Sequence, residues 1–208
     1  MPFDVRLIAI LDPAALGTRA LDAARAAEAG GVTLLQVRMK DSGAGDVLRW
    51  TARLVAVLRI PVWVNDRLDV ALLAGATGVH LGQDDLPVDR ARDLAPRPFG
   101  LGVSVGTPAE AARARGMGAD YWSIGSVYAT GSKPDAGPPI GPVGFAALAA
   151  RAPAGVPGVA IGGITAARIA EVKALGAAGV AVIHAVFGAP DIERAARALR
   201  DAWEEGKR

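Results

Sequence analysis

Residues 62–87 read VWVNDRLDVALLAGATGVHLGQDDLP, and the interpretation of this stretch decides the fold. A short apolar run, Val62-Trp63-Val64, stops at Asn65-Asp66. An amphipathic turn over Val70 to Ala74 follows, then the Gly75-Ala76 break. A second apolar run, Val79-His80-Leu81, ends in Gln83-Asp84-Asp85. Strand, helix and strand make a βαβ unit, whose parallel strands bring both polar ends to one edge of the sheet. Asp66 and Asp85 are therefore expected side by side at the carboxyl ends of adjacent strands. Two carboxylates with oxygen neighbours suit a hard cation such as Mg²⁺.

The small-residue signal ahead of the second run recurs along the chain. It stands at Gly30-Gly31-Val32, at Gly118-Ala119-Asp120-Tyr121 and at Gly176-Ala177-Ala178-Gly179-Val180. Glycine after a helix supplies a left-handed cap that returns the chain to a strand. Between these points lie Ala/Arg/Leu-rich stretches with helical spacing, such as Thr18 to Glu28, Asp46 to Leu58, Pro108 to Arg115 and Ile192 to Glu204. Short apolar runs predict eight strands, at Val5–Leu11, Val32–Val37, Val62–Val64, Gly78–Leu81, Gly100–Val103, Tyr121–Ile124, Val159–Ile161 and Val180–Ile183. Most are continuous rather than alternating, as expected when both faces of a sheet are covered. Eight βα units without a linker predict an α/β protein, a (β/α)₈ TIM barrel forming a single domain over residues 1–208. An open doubly wound sheet is the alternative, weakened because no glycine-rich dinucleotide fingerprint follows the first strand.

Composition agrees with a core-rich globular chain: 51% of the 208 residues are hydrophobic and 21% charged. No apolar run approaches the ~18 residues of a membrane span. The first run, Leu7 to Leu11, is bracketed by Asp4 and Asp12, unlike a signal peptide, so a cytoplasmic location is expected. With no cysteine, disulfides, thiolate catalysis and cysteine-based zinc sites are excluded. The formal charge is +2 and the basic residues are scattered, so neither nucleic acid nor membrane is expected as a partner. Of the 23 basic residues only four are lysines, and two of those, Lys40 and Lys133, fall in loops that matter below. A homo-oligomer is left open.

A barrel builds its active site at the carboxyl ends of its strands. Strand two ends in Gln36-Val37-Arg38-Met39-Lys40, whose alternation points Gln36, Arg38 and Lys40 the same way. Strand three contributes Asn65 and Asp66, strand four Gln83, Asp84 and Asp85, and strand five Ser104. Strand six runs into a long loop, Gly125 to Pro134, carrying Thr130, Gly131, Ser132 and Lys133. Strand seven ends in Gly162-Gly163-Ile164-Thr165 and strand eight in Ile183-His184-Ala185. Cations around a magnesium-type carboxylate pair are what a pyrophosphate needs. The glycine pair presents bare backbone N–H groups at a helix start, beside the end of strand eight, which suits a phosphate monoester. The set points to two small phosphorylated ligands, or to one with phosphate at both ends. Plainer readings exist for each part. Asp66 and Asp85 could cap the following helices, Arg38 and Lys40 could form a solvated rim, and Thr130 to Lys133 could be plain loop. Gly162-Gly163 could be only a tight turn, and His80 reads as a hydrogen-bonded core histidine.

From about Leu7 to Phe187 the chain resembles the thiamine-phosphate synthases, a family grouped with the thiazole tautomerases. The resemblance is carried by QVRMK at 36–40, VNDR at 64–67, GVHLGQDDLP at 78–87, TGSK at 130–133 and AIGGI at 160–164. It implies a transferase of thiamine biosynthesis that joins hydroxymethylpyrimidine diphosphate to a thiazole phosphate and releases pyrophosphate. Gln36, Arg38, Lys40 and Asn65 match positions that hold the pyrimidine diphosphate, and Asp66 and Asp85 match magnesium positions. Ser104, Thr130, Ser132 and Lys133 match positions near the pyrimidine or its departing pyrophosphate. Gly162, Gly163, Ile183 and His184 match the thiazole-phosphate site. Lys133, Arg38, Lys40 and Ser104 are the expected catalytic residues.

The chain departs from the family at several positions. Met39 replaces a usual Glu. Ser126 and Ala129 replace loop prolines, which should loosen the loop. Ile8 and Leu11 replace a common Tyr and Thr, which puts one wall of the pyrimidine pocket in question. His184 stands where Ser is common. A tautomerase-type isomerase and a non-catalytic phosphate-ligand binder are the rival readings. The retained Asn-Asp and Arg/Lys motifs, and Ser126 where tautomerases carry a histidine, favour the synthase.

Overall fold

The structure, a computed structural model, describes residues 3–131 and 137–205. Eight parallel strands close into a barrel in sequence order: β1 Leu7–Leu11, β2 Leu34–Val37, β3 Val62–Asn65, β4 Gly78–Leu81, β5 Gly100–Val105, β6 Tyr121–Ile124, β7 Gly158–Ile161 and β8 Gly179–Val182. Closure is made by β1 pairing with β8, Leu7 opposite Val180. The open-sheet alternative is thereby eliminated. The outer layer comprises α1 Ala20–Ala29, α2 Ala44–Val57, α3 Leu68–Leu73, α4 Val88–Leu94, α5 Pro108–Ala114, α6 Gly141–Ala149, α7 Ala166–Ala174 and α8 Ile192–Glu205. One-turn helices at Pro13–Leu16 and His184–Phe187 follow β1 and β8.

The expected strands all form, with small shifts at their ends. β1 and β2 each begin two residues later than their apolar runs, at Leu7 and Leu34. Arg6, between Val5 and Leu7, instead pairs through its guanidinium with Asp4 and Glu204. The chain turns at Gly31, Gly75, Gly118 and Gly176, all at positive φ, as the repeated small-residue signal predicts.

Alternation along the strands divides the core in two. Leu7, Ala9 and Leu11 of β1 join the large cluster between sheet and helices, whereas Ile8 and Ile10 join a smaller interior cluster with Val5, Leu34, Trp63, Tyr121, Val159 and Ala181. Inside the barrel, Phe3 meets Trp63 edge-on at 5.1 Å between ring centroids, Trp63 lies 5.5 Å from Tyr121, and Tyr121 lies 5.6 Å from His80. This aromatic column exists because β4 and β5 give up their side chains beside it. A Cβ at Gly78 or Gly100 would overlap the Trp63 indole, and one at Gly102 would lie 2.7 Å from His80 Nδ1. The column fills the amino-terminal half of the barrel, and the polar groups begin where it ends. Among the described residues no helix is long and apolar enough to cross a membrane.

Candidate active site

A cavity of about 710 Å³ opens at the carboxyl ends of the strands. That is within the roughly 300–1,000 Å³ typical of small-molecule sites. Of the residues singled out from sequence, Gln36, Arg38, Lys40, Asn65, Asp66, Asp85, Ser104, Thr130, Gly162, Gly163, Ile183 and His184 all line it. Ser132 and Lys133 lie outside the described residues. The alternation inferred for β2 holds: Gln36 is buried at the floor, Arg38 half-buried on the wall and Lys40 exposed at the rim. Met39, between them, turns away into the core beneath the helices, where an apolar side chain is at home.

The carboxylates behave as a pair. β3 and β4 run side by side with Asn65 opposite His80, and Asp66 hydrogen-bonds to Asp85. Neither caps a helix. The residue ahead of α3 is Arg67 and that ahead of α4 is Pro87, each without a side-chain cap bond. Asp85 instead accepts the Gly82 N–H at 2.6 Å, closing the turn that follows β4. Asp66 has φ of 69°, the one non-glycine positive φ among the described residues, while its N–H donates to the His80 carbonyl at 2.8 Å. An aspartate in this region costs roughly 1 kcal/mol or more, held only where neighbours over-determine it.

Burial, and then the facing Asp85 carboxylate, raise the Asp66 carboxyl to about 6, against the opposing pull of Lys40 and Arg38. A divalent cation held by the two carboxylates would offset both causes. No group of three or more His, Cys, Asp or Glu forms a metal cluster among the described residues. Two carboxylates with several open positions suit Mg²⁺, which keeps waters and takes substrate phosphate oxygens as its remaining ligands.

The loop after β6 is well rooted without the expected prolines. Val127 N–H donates to Ile161 O and Tyr128 N–H to Gly162 O, while Ile140 and Gly141 return to Ser126 and Val127. The Ser126 hydroxyl donates to the Tyr128 carbonyl at 2.8 Å. Tyr128 is clamped from α7, with Arg168 over its ring at 4.2 Å and its hydroxyl donating to Glu171 at 2.6 Å. Burial and the Glu171 carboxylate push that phenol up to about 12, which keeps the donor proton in place. The loosening expected from Ser126 and Ala129 is thus offset at the loop root by backbone pairing to β7. Gly162 and Gly163, at φ 96° and 62°, leave the space the root occupies: a Cβ at Gly162 would overlap Ser126. The glycine pair therefore serves packing as well as the cavity wall. His184 is exposed at the cavity edge, in the first turn after β8, and its ring lies where a side chain on Gly188 would be.

Two readings change. The strand-one wall of the cavity is Ile10, not Ile8 or Leu11. Ile8 lies below the cavity in the interior cluster and Leu11 faces the helices, because side chains alternate along a strand. His80 is the buried, hydrogen-bonded histidine expected, with Nδ1 2.9 Å from Tyr121 Oη and Nε2 3.0 Å from Ser104 Oγ, yet it also lines the cavity. Sequence reasoning passes over Tyr121, whose hydroxyl reaches the same floor. The signal was available in the alternation of β6, which turns Tyr121 and Ser123 to the interior together.

Residues 7–186 match the sequence model of a family described as thiamine monophosphate synthase. A thiamine-phosphate synthase of Methanoculleus marisnigri is 50% identical over 186 residues, 86% of each chain. One of Methanoregula boonei is 51% identical, covering 94% of this chain and 91% of its own. The solved structure of a thiamine phosphate pyrophosphorylase from Pyrococcus furiosus superposes with a TM-score of 0.88 at 35% identity, over 99% of this chain and 98% of the other. On this coverage and identity, the chain belongs to the thiamine monophosphate synthase family.

Proposed function

We propose that the chain is a Mg²⁺-dependent transferase that condenses 4-amino-5-hydroxymethyl-2-methylpyrimidine diphosphate with a thiazole phosphate to give thiamine phosphate and pyrophosphate. The observation that carries this reading is the Asp66–Asp85 pair facing the Arg38 and Lys40 side of one cavity, in a chain half identical to synthases. The substrates are small and phosphorylated, the setting is cytoplasmic, and neither nucleic acid nor membrane is required.

Asp66 and Asp85 would hold the metal, which when bound would supply charge neutralisation to the departing pyrophosphate. Arg38 and Lys40 bind the diphosphate from the β2 side and Thr130 from the end of β6; Ser132 and Lys133, outside the described residues, are assigned to the same group by the TGSK motif. Gln36, Asn65 and Ser104 seat the pyrimidine. Gly162, Gly163, Ile183 and His184 take the thiazole phosphate at the ends of β7 and β8.

The chemistry is dissociative. The C–O bond to pyrophosphate breaks first, the electron pair leaves with the oxygen, and a pyrimidinylmethyl cation forms. The thiazole nitrogen then supplies its lone pair to the new C–N bond. Such a reaction needs charge neutralisation on the leaving group rather than a strong base. Arg38 and Lys40, which line the cavity, and Lys133 of the TGSK motif are cations suited to that need. Water has to be kept from the cation, and the described root of the β6 loop borders the cavity through Gly125, Ser126 and Thr130.

The test is thiamine phosphate formation from both substrates, with and without Mg²⁺, for wild type and Lys133→Ala. Metal-dependent product that falls at least about tenfold in the variant supports the reading. Folded wild-type protein that binds both phosphates but turns over neither would point to a binder, and isomerisation of a thiazole carboxylate to a tautomerase.

A further inference from the structure

The glycine pair after β7 is gripped from behind the cavity wall. Arg168, in the first turn of α7, donates through Nη1 to the Gly163 carbonyl at 2.5 Å, and the Tyr128 N–H donates to the Gly162 carbonyl at 3.1 Å. The same guanidinium lies 4.2 Å from the centre of the Tyr128 ring, whose hydroxyl is tied to Glu171 further along α7. Gly162, Gly163 and Ile164 line the cavity, whereas Tyr128, Arg168 and Glu171 do not. We infer that Arg168 and Tyr128 are positioning residues that hold both carbonyls of the glycine pair out of the cavity, and so turn the Gly163 and Ile164 N–H groups into it as a seat for a phosphate. The inference rests on the synthase reading above and deepens it.

The direction of the two N–H groups follows from peptide geometry. A peptide unit is planar, and in its trans form the N–H points opposite to the C=O. The Gly162–Gly163 and Gly163–Ile164 peptides are both trans. A carbonyl aimed at Tyr128 or at Arg168 therefore aims the N–H of the next residue the other way, to the cavity side. Neither of these N–H groups donates to a protein acceptor among the described residues. Two adjacent unclaimed N–H groups just ahead of a helix make a concave surface that suits an anion.

The freedom of glycine is what makes the grip necessary. Glycine passes between positive and negative φ at little cost, so an untethered peptide of the pair could flip and present its carbonyl oxygen to the phosphate. Arg168 opposes the flip with a charge-assisted bond, stronger than a neutral one. Stiffening the pair by a side chain is not open to this chain. A Cβ at Gly163 would lie 2.6 Å from the Ala129 carbonyl oxygen and 2.9 Å from Tyr128 Cβ. The pair has to be glycine, and its orientation has to be fixed from outside.

The experiment starts with inorganic phosphate titrated into the wild-type protein, following the amide ¹H and ¹⁵N shifts of Gly163 and Ile164. Both amides should shift, with a common Kd. Arg168→Met keeps the stem over Tyr128 but removes the donor, and the Kd read from these amides should rise ~10-fold or more. Arg168→Lys keeps a charged donor and should stay within about threefold of wild type. Arg168 is half-buried, so both variants should fold, and thermal melts check that. In steady-state kinetics Arg168→Met should raise the KM for the thiazole phosphate, while the KM for the pyrimidine diphosphate stays within about twofold. A general loosening of the fold would move both. Phosphate that leaves the two wild-type amides unshifted, or an unchanged Kd in Arg168→Met, overturns the inference. Folded protein that forms no thiamine phosphate overturns the synthase reading instead, and the amide titration still decides the role of Arg168.

Discussion

The two ends of the barrel interior are built by the same eight strands to opposite specifications. Toward the amino-terminal end, the rings of Phe3, Trp63 and Tyr121 pack into glycine-cleared space at centroid separations of 5.1 and 5.5 Å. Toward the carboxyl end, side chains leave a cavity of about 710 Å³, two carboxylates face each other, and Asp66 takes a backbone conformation that aspartate disfavours. The difference separates the part of the molecule that stabilises from the part that stores unfavourable interactions for a ligand to relieve. Substitutions in the lower half should change stability with little effect on chemistry, and those in the upper half the reverse.

The sharpest break of that contrast is Asp66→Asn. Removing one carboxylate of the pair should lower metal-dependent turnover ~100-fold or more, since a bound metal supplies several kcal/mol of charge stabilisation. Because facing carboxylates repel, the metal-free variant should melt no lower than wild type. A variant that retained full Mg²⁺-dependent activity would remove Asp66 from the site. Lys133→Ala should cost at least about tenfold in kcat with unchanged melting, read by steady-state kinetics and calorimetry.

Gly100→Ala is the opposite experiment. Its methyl group meets the Trp63 indole in a packed interior, so a loss of ~1–3 kcal/mol of stability is expected in denaturant unfolding. Kinetic constants of the protein that remains folded should change little. Loss of activity without loss of stability would mean that the two halves are not separable.

The smallest effect is the pH dependence contributed by Asp66. Its folded-state carboxyl is raised from 3.8 to about 6, so the native protein binds more protons than the unfolded chain between those values. Stability of the metal-free protein should therefore decline as pH rises through that window. Stabilisation by Mg²⁺ should grow over the same range, as the proton gives way to the cation. Thermal melts from pH 4 to 7, with and without Mg²⁺, measure both slopes, and Asp66→Asn should flatten them.

Periodicity and punctuation settled most of the barrel. Eight apolar runs, each followed by helical spacing and several preceded by glycine, leave few topologies open, and the glycines after α1, α3, α5 and α7 lie at positive φ as their positions require. The rim residues were equally legible, because a parallel barrel gathers all strand ends and the motifs mark those ends. Less legible were contacts set by alternation across strands distant in sequence. Ile10 rather than Leu11 faces the cavity because alternation gives Leu7, Ala9 and Leu11 to the helix-facing side of β1 and Ile8 and Ile10 to the interior. Nothing local to Leu7–Leu11 records where β8 closes against it.

What the sequence by itself determined is the repeating βα order, the polar strand ends and the juxtaposition of Asp66 with Asp85, all consequences of local pattern plus parallel pairing. Only the tertiary structure decided that His80 and Tyr121 belong to the site, that Ser126 and Tyr128 root the β6 loop on β7 and α7, and that Gly78, Gly100 and Gly102 exist for the rings of Trp63, Tyr121 and His80. Those relations join residues up to 43 positions apart. They follow from barrel closure and side-chain volume, which no single stretch of sequence encodes.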